Sequence, residues 1–285
     1  MRGYSIFTDT IVDMTWPEVE DAAEKGAVML VPLGVIEQHG PHLPLGTDIY
    51  AAAKMCSLIK SELGKQGVLS VIAPPYYFGR NTSTGMFPGS ISVRSESMVP
   101  MLSDLLVNYR NHGFRRQFIL NHHGDPGHNN AIIEAMLSAL ERDVEPVLLI
   151  GGLVAFSLER AVGNASTPLP LQAVLRVQES AQTRKAREAL NRSTLHIHAE
   201  ERETSLIMRW FPELLKEPEK IRELKPVIPT MEAFVEAETG GKWNELSPLG
   251  YVGDPSVATP ENAEIYIHEA RDMALAIANF LKGTL

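Results

Sequence analysis

The sequence predicts an α/β fold: three layers, α/β/α, around a mainly parallel central sheet. Three observations predict it. Short apolar runs alternate with longer stretches of helical periodicity through the first half of the chain. The apolar runs are continuous rather than alternating, as strands buried on both faces require. Turn-forming Gly, Pro and Asn residues separate the two kinds of segment.

Taken in order, residues 27–35 (AVMLVPLGV) read as a buried strand running into polar residues. Residues 48–63 carry apolar side chains at helical spacing and stop near Gly64. Residues 68–73 read as a strand closed by Pro74 and Pro75, and 95–111 as a helix closed by Gly113. Residues 116–121 predict a third strand, 129–142 a helix and 146–150 a fourth strand. Beyond this the pattern loosens. Residues 180–190 and 203–215 are helical by spacing, 216–248 read as a loop-rich excursion, and 261–281 as a long closing helix. No repeat or linker divides the chain, so a single domain over residues 1–285 is expected.

The balance of 26 Lys and Arg against 35 Asp and Glu gives a formal charge of −9. An acidic surface repels phosphate backbones and anionic lipid, so neither nucleic acid nor membrane is an expected partner. No apolar run approaches a membrane span, and the N-terminus does not read as a secretory signal. A cytoplasmic location is therefore expected. The one cysteine, Cys56, excludes an intramolecular disulfide and a multi-thiolate metal site. It lies in a helical apolar run and reads as a small core residue.

The chemistry is concentrated in three clusters. Glu37, His39, His42 and Asp48 follow the first strand directly. Glu37 and His39 are two apart, so on extended backbone both side chains point the same way. Asp48 sits where the next helix begins, where an ordinary helix-capping role is the competing reading. His122, His123, Asp125 and His128 follow the third strand. Both clusters leave the carboxyl ends of strands, where open α/β sheets bind ligands. Together they offer about five N and O ligands, more than one tetrahedral site needs and suited to a pair of cations. Imidazole with carboxylate suits Zn, Mn or Fe. The third cluster, His196, His198, Glu200, Glu201 and Glu203, precedes an amphipathic helix, where acids are also favourable as ordinary N-terminal charges.

In this order and spacing the three segments resemble the creatininase (creatinine amidohydrolase) family. Residues 34–48 (GVIEQHGPHLPLGTD) match its signature, 121–128 resemble its second histidine segment, and 198–205 its H-A-G-x-x-E-T-S segment. FPGSISV at 87–93 and GYVGDPSVATPE at 250–261 also match. The resemblance implies a small-molecule substrate, two divalent metal ions per chain and a homo-oligomer, often a hexamer. By position, Glu37 and His123 would hold one metal and His39 the other, with Asp48 bridging. Either Asp125 or Glu203 would complete the site. His198 matches the acid/base histidine, with Glu200 as a second proton-transfer candidate. Against the family pattern, His122 and Glu200 replace glycines and Pro126 replaces Asn. No Trp lies between 150 and 200, where creatininase closes tryptophans over its substrate.

The expected reaction is hydrolysis of a C–N bond, in a cyclic amide or a formamide-type substrate, by metal-activated water. Two rivals stand beside it. Phosphoester or peptide hydrolysis on the same metals would draw, for phosphate, on Arg80, Arg94, Arg115 or Arg116. A non-catalytic metal-binding relative would be expected to lack a core ligand, and none of the four is missing.

Overall fold

The computed structural model describes residues 5–190 and 197–283. His196 of the third cluster lies outside them. Five parallel strands form one sheet: β1 (Val28–Leu33), β2 (Ser70–Ile72), β3 (Gln117–Asn121), β4 (Pro146–Ile150) and β5 (Val174–Arg176), in the order β2-β1-β3-β4-β5. The helices are α1 (Trp16–Glu24), α2 (Thr47–Lys65), α3 (Ser95–Asn111), α4 (Pro126–Leu140), α5 (Ala155–Asn164), α6 (Ala181–Ala189), α7 (Glu201–Trp210), α8 (Met231–Gly240), α9 (Trp243–Leu246) and α10 (Glu264–Leu281).

Strands β1, β3 and β4 are buried along their whole length, which explains their unbroken apolar sequences. Val28 and Leu30 of β1 face a core completed by α2, α7 and α10. Met29, Val31 and Leu33 face the other core, built with α1, α3, α4 and α5. The period-2 alternation of one strand thus serves two helical layers. The architecture is the expected α/β/α sandwich. Cys56 is buried on α2 and packs as a core residue.

The strand order places the site. From β1 the chain passes through α2 on one face to β2, then through α3 on the opposite face to β3 on the other side of β1. The carboxyl ends of β1 and β3 therefore flank the topological switch point, and the last paired residues there are Leu33 and Asn121. Gly34 follows at once. A Cβ on it would lie 2.8 Å from the Asp48 carbonyl carbon and 2.9 Å from the Ile49 nitrogen, so only glycine lets the start of α2 settle against the strand end.

The second half departs from expectation in detail. The helix expected over 203–215 ends at Trp210, and a 3-10 turn at Pro212–Leu214 follows, because Pro212 cannot donate into a continuing helix. The 216–248 excursion contains α8 and α9. Its Phe234 and Trp243 form a small apolar cluster with Val252. Strand β5 and helices α1 and α5 were not among the expected elements, although Thr15 and Glu18 form a capping box that marks the start of α1. No helix among the described residues is long and apolar enough to cross a membrane.

Candidate metal centre

All three clusters meet at the β1/β3 switch point. Glu37, Asp48 and His123 offer ligand atoms within 4.8 Å of one another, and so do His39, Asp48 and Glu203. Asp48 belongs to both of these groups, and Glu37 and His39 form a third with His198. Its Oδ1 lies 3.3 Å from His39 Nε2 and its Oδ2 3.1 Å from His123 Nδ1. His123 Nδ1 also lies 2.9 Å from Glu37 Oε1, and His39 Nε2 lies 3.8 Å from Glu203 Oε2. His39 is fully buried, and Glu37, Asp48 and Glu203 are 1–2% exposed.

Hydrogen bonds fix which ring nitrogen faces inward. His39 Nδ1 lies 3.1 Å from the Glu37 carbonyl, and His123 Nε2 lies 3.0 Å from the Arg80 carbonyl. A carbonyl only accepts, so these nitrogens carry the protons. In the neutral rings, His39 Nε2 and His123 Nδ1 then present lone pairs to buried carboxylates. His39 Nε2 and Asp48 Oδ2 have no hydrogen-bond partner among the described residues. Lone pairs facing carboxylates repel unless a cation lies between them, and imidazoles anchored through the outer nitrogen are the usual second shell of a metal site. The donor set therefore fits bound divalent metal.

The titration behaviour agrees. Burial would lower the pKa of His39, but facing Asp48 and Glu203 it is raised to about 9. His123 is raised against burial by Glu37 and Asp48. Burial would raise Asp48, yet the surrounding imidazoles of His39, His122 and His123 hold it well below the usual carboxylate range. Burial raises Glu203. The cluster is a well of negative potential that draws in protons when no other cation is supplied.

The remaining sequence candidates take other positions. Asp48 is not the N-cap of α2; Gly46 is. Asp125 caps α4. Its Oδ1 accepts the His128 N–H at 3.0 Å, while its Oδ2 accepts from Thr82 N (2.7 Å), Thr82 Oγ1 (2.5 Å), Ser83 N (3.0 Å) and Ser83 Oγ (3.3 Å). Its acceptor capacity is thus taken up by the 82–83 loop and the helix start. Glu200 caps α7, accepting from Arg202 N at 3.1 Å and Glu203 N at 3.4 Å. Glu203 holds station through the Ala199 N–H at 2.5 Å, and Ala199 itself sits at φ +51°. His42 bonds Thr204 Oγ1 at 3.0 Å, and burial beside His39 lowers it to about 3. His128 is likewise lowered to about 3 by burial and His123, and packs so closely on Gly79 that no Cβ fits there. His122 reaches the centre, with Nδ1 3.8 Å from Asp48 Oδ1 and 3.7 Å from Glu203 Oε1.

His198 lies beside the centre. Its Nε2 is 2.7 Å from the Gln38 carbonyl and 3.0 Å from the Gln38 side-chain amide nitrogen, and its Nδ1 faces Glu37 Oε1 at 3.8 Å. The ring is held by an edge-on contact with Trp243, with centroids 5.6 Å apart. Sequence reasoning missed Trp243 as a site residue because it lies far along the chain, in the excursion. It also missed Thr84, whose hydroxyl donates to Glu37 Oε2, and Gln38, whose amide ties Gly250 to the site at 2.8 Å. Gln38 had a signal, since it stands inside the first motif.

A cavity of about 140 Å³ adjoins the centre and is lined by Glu37, His123, His198, Phe234, Glu238 and Trp243 among others. A larger concavity, about 1130 Å³, lies near α1 and Arg115 and Arg116. Those arginines precede β3, at the opposite end of the sheet from the metal centre.

A family model for creatinine amidohydrolase, the creatininases, matches residues 12–278. The chain belongs to the creatininase family. It is 25% identical to the mycofactocin precursor peptide peptidase of Mycobacterium ulcerans over 283 residues, covering 97% of this chain and 90% of that one. It is also 25% identical to the 3-dehydro-scyllo-inosose hydrolase of Thermotoga maritima, over 71% of this chain but 56% of that protein. The match to the creatinine amidohydrolase of Pseudomonas putida, also at 25%, covers 43% of that protein, so against several curated relatives the chain spans about half their length or less. A solved creatininase superposes with a TM-score of 0.67 at 19% identity, over 96% of this chain and 97% of that one. Creatininase with Mn gives 0.65, also at 19% identity, over 96% and 98%. At that identity the likeness establishes the creatininase fold and nothing finer.

Proposed function

We propose that this creatininase-family chain is a metal-dependent amidohydrolase that cleaves a C–N bond of a small cyclic amide or formamide-type substrate. The observation that carries the reading is the pair of inward imidazole lone pairs, His39 Nε2 and His123 Nδ1, set on either side of Asp48. Glu37 and His123 would hold one divalent ion and His39 and Glu203 the other, with Asp48 common to both sets of ligand atoms. Bound there, Zn, Mn or Fe supplies acidity that makes water a nucleophile near neutral pH and positive charge that polarises a carbonyl.

The chain's own groups supply the rest. The Thr84 hydroxyl fixes the Glu37 carboxylate. His198 Nδ1 takes a proton from the attacking water and returns it to the leaving nitrogen as the C–N bond breaks. The Gln38 carbonyl and Trp243 keep that ring in place. Asp125 and Glu200 act as positioning residues through the helix ends they cap. The family resemblance supports a homo-oligomer.

The test is hydrolysis by protein loaded with Zn or Mn, assayed on a lactam, a formamide, a short peptide, a phosphoester and a polyhydroxylated cyclic ketone. Turnover of the lactam or formamide, abolished by chelation, is the expected result. Turnover confined to the phosphoester, or metal-loaded protein inert toward every C–N substrate, would overturn the reading.

A further inference from the structure

The cavity beside the metal centre contains a carboxylate that the hydrolysis does not use. Glu238 lines it from α8, in the excursion. Its side chain is 9% exposed, and its Oε2 has no hydrogen-bond partner among the described residues. Arg160 approaches to 3.7 Å, too far for a hydrogen bond, and its side chain is 40% exposed, so solvent screens the pair. Burial and the neighbouring Asp125 raise the Glu238 carboxyl above its ordinary range despite Arg160. A buried carboxylate oxygen without a donor is costly, and a cationic N–H group supplies what it lacks.

The surroundings fit such a group. Phe234 and Trp243 stand edge to face at 5.6 Å on the same cavity. Trp243 Nε1 is bonded to the Gly250 carbonyl at 2.9 Å, which fixes the ring as a wall. Aromatic walls with a carboxylate form a receptor for an organic cation. Among the described lining residues the acids are Glu37, Asp125 and Glu238, against one arginine. Glu37 and Asp125 are engaged by the centre and its supporting loop, whereas Glu238 meets the exposed Arg160 at 3.7 Å without a hydrogen bond, which leaves its Oε2 open to a ligand. At about 140 Å³ the space suits a small molecule or one residue of a larger one.

Building on the proposed hydrolase, we infer that Glu238 is its specificity determinant: it receives an ammonium or amidinium group that the substrate carries beside the scissile amide. The amide carbonyl then turns toward the centre of positive charge and the cationic end toward Glu238, which orients the substrate without touching the reacting bond.

The experiment measures calorimetric binding of three probes to Zn-loaded protein: glycinamide (cationic), acetamide (neutral) and malonamate (anionic), with metal content determined on the same samples. Wild type should bind glycinamide about tenfold or more tightly than acetamide, the effect of a hydrogen bond to a charged group. Glu238→Gln should bring the two within about twofold with metal content unchanged, and Glu238→Asp should keep the preference for the cation. Equal binding of glycinamide and acetamide, strongest binding of malonamate, or no binding of any probe to metal-loaded wild type would overturn the assignment. Protein that takes up no metal would instead overturn the hydrolase reading, so the two failures are distinguishable.

Discussion

Asp125 and Glu203 offer the sharpest contrast at the centre. Both are buried carboxylates near the ligands, but Asp125 accepts five hydrogen bonds from the 82–83 loop and the start of α4. Glu203 accepts one, from Ala199, and faces His39. Asp125→Ala removes an N-cap and leaves three backbone N–H donors without their partner. At about 1 kcal/mol for the cap and a similar amount for each of the loop donors, the loss is on the order of 3 kcal/mol. For a chain of this size that lowers Tm by roughly 5–10 °C. Glu203→Gln keeps the volume and removes a ligand charge. It should leave the Tm of chelated protein within roughly 2 °C while lowering bound metal from two per chain toward one. Calorimetry after chelation and plasma mass spectrometry after reloading read the two effects separately. If Asp125→Ala left Tm unchanged and lost a metal while Glu203→Gln retained both, the division of labour between these acids would be refuted.

Further predictions follow from the same geometry. His198→Ala should lower kcat by about 10²- to 10⁴-fold with metal content intact; loss of metal with the activity would make His198 a ligand instead. In chelated protein His39 is raised to about 9 from its ordinary 6.5, so its contribution to stability is complete below pH 6.5 and is lost as pH rises through 9. That contribution is on the order of 3 kcal/mol. Metal competes with the same protons, so metal affinity should rise over the same interval; parallel melts at pH 6.5 and 9, with and without Zn, check both signs, and chelated protein that gains stability at pH 9 would contradict them. Gly34→Ala should cost about 2 kcal/mol in denaturant unfolding, since its Cβ would press the backbone at the start of α2; a loss below about 0.5 kcal/mol would show that α2 shifts freely.

The sheet was legible because buried parallel strands write themselves as unbroken apolar runs. Residues 95–111 and 146–150 have the same ends in sequence and structure. β5 was not legible: it is three residues long at the sheet edge, too short to carry a period. Helix α5 begins in a run of small and apolar residues with no capping side chain, so nothing marked its start. At the centre, Glu37, His39 and His123 could be read because each sits within a few residues of a strand end, where local spacing dictates direction, and Asp48 because it opens the helix that follows the first motif. The roles of Asp125 and Glu200 could not. A carboxylate at a helix start looks the same in sequence whether it caps or ligates, and only the donors around it decide. Trp243 and Glu238 were illegible for a different reason. They reach the cavity through tertiary packing of the excursion, and no local pattern announces it.

The central claim is that two adjacent strand ends deliver imidazoles and acids to one shared pair of cations. Anomalous diffraction from crystals grown with Mn, recorded at the manganese edge, tests it most directly. The account predicts two peaks about 3.5–4 Å apart, with Asp48 between them, His123 on one and His39 on the other. A single peak held by other residues, or no peak at this switch point, would contradict it.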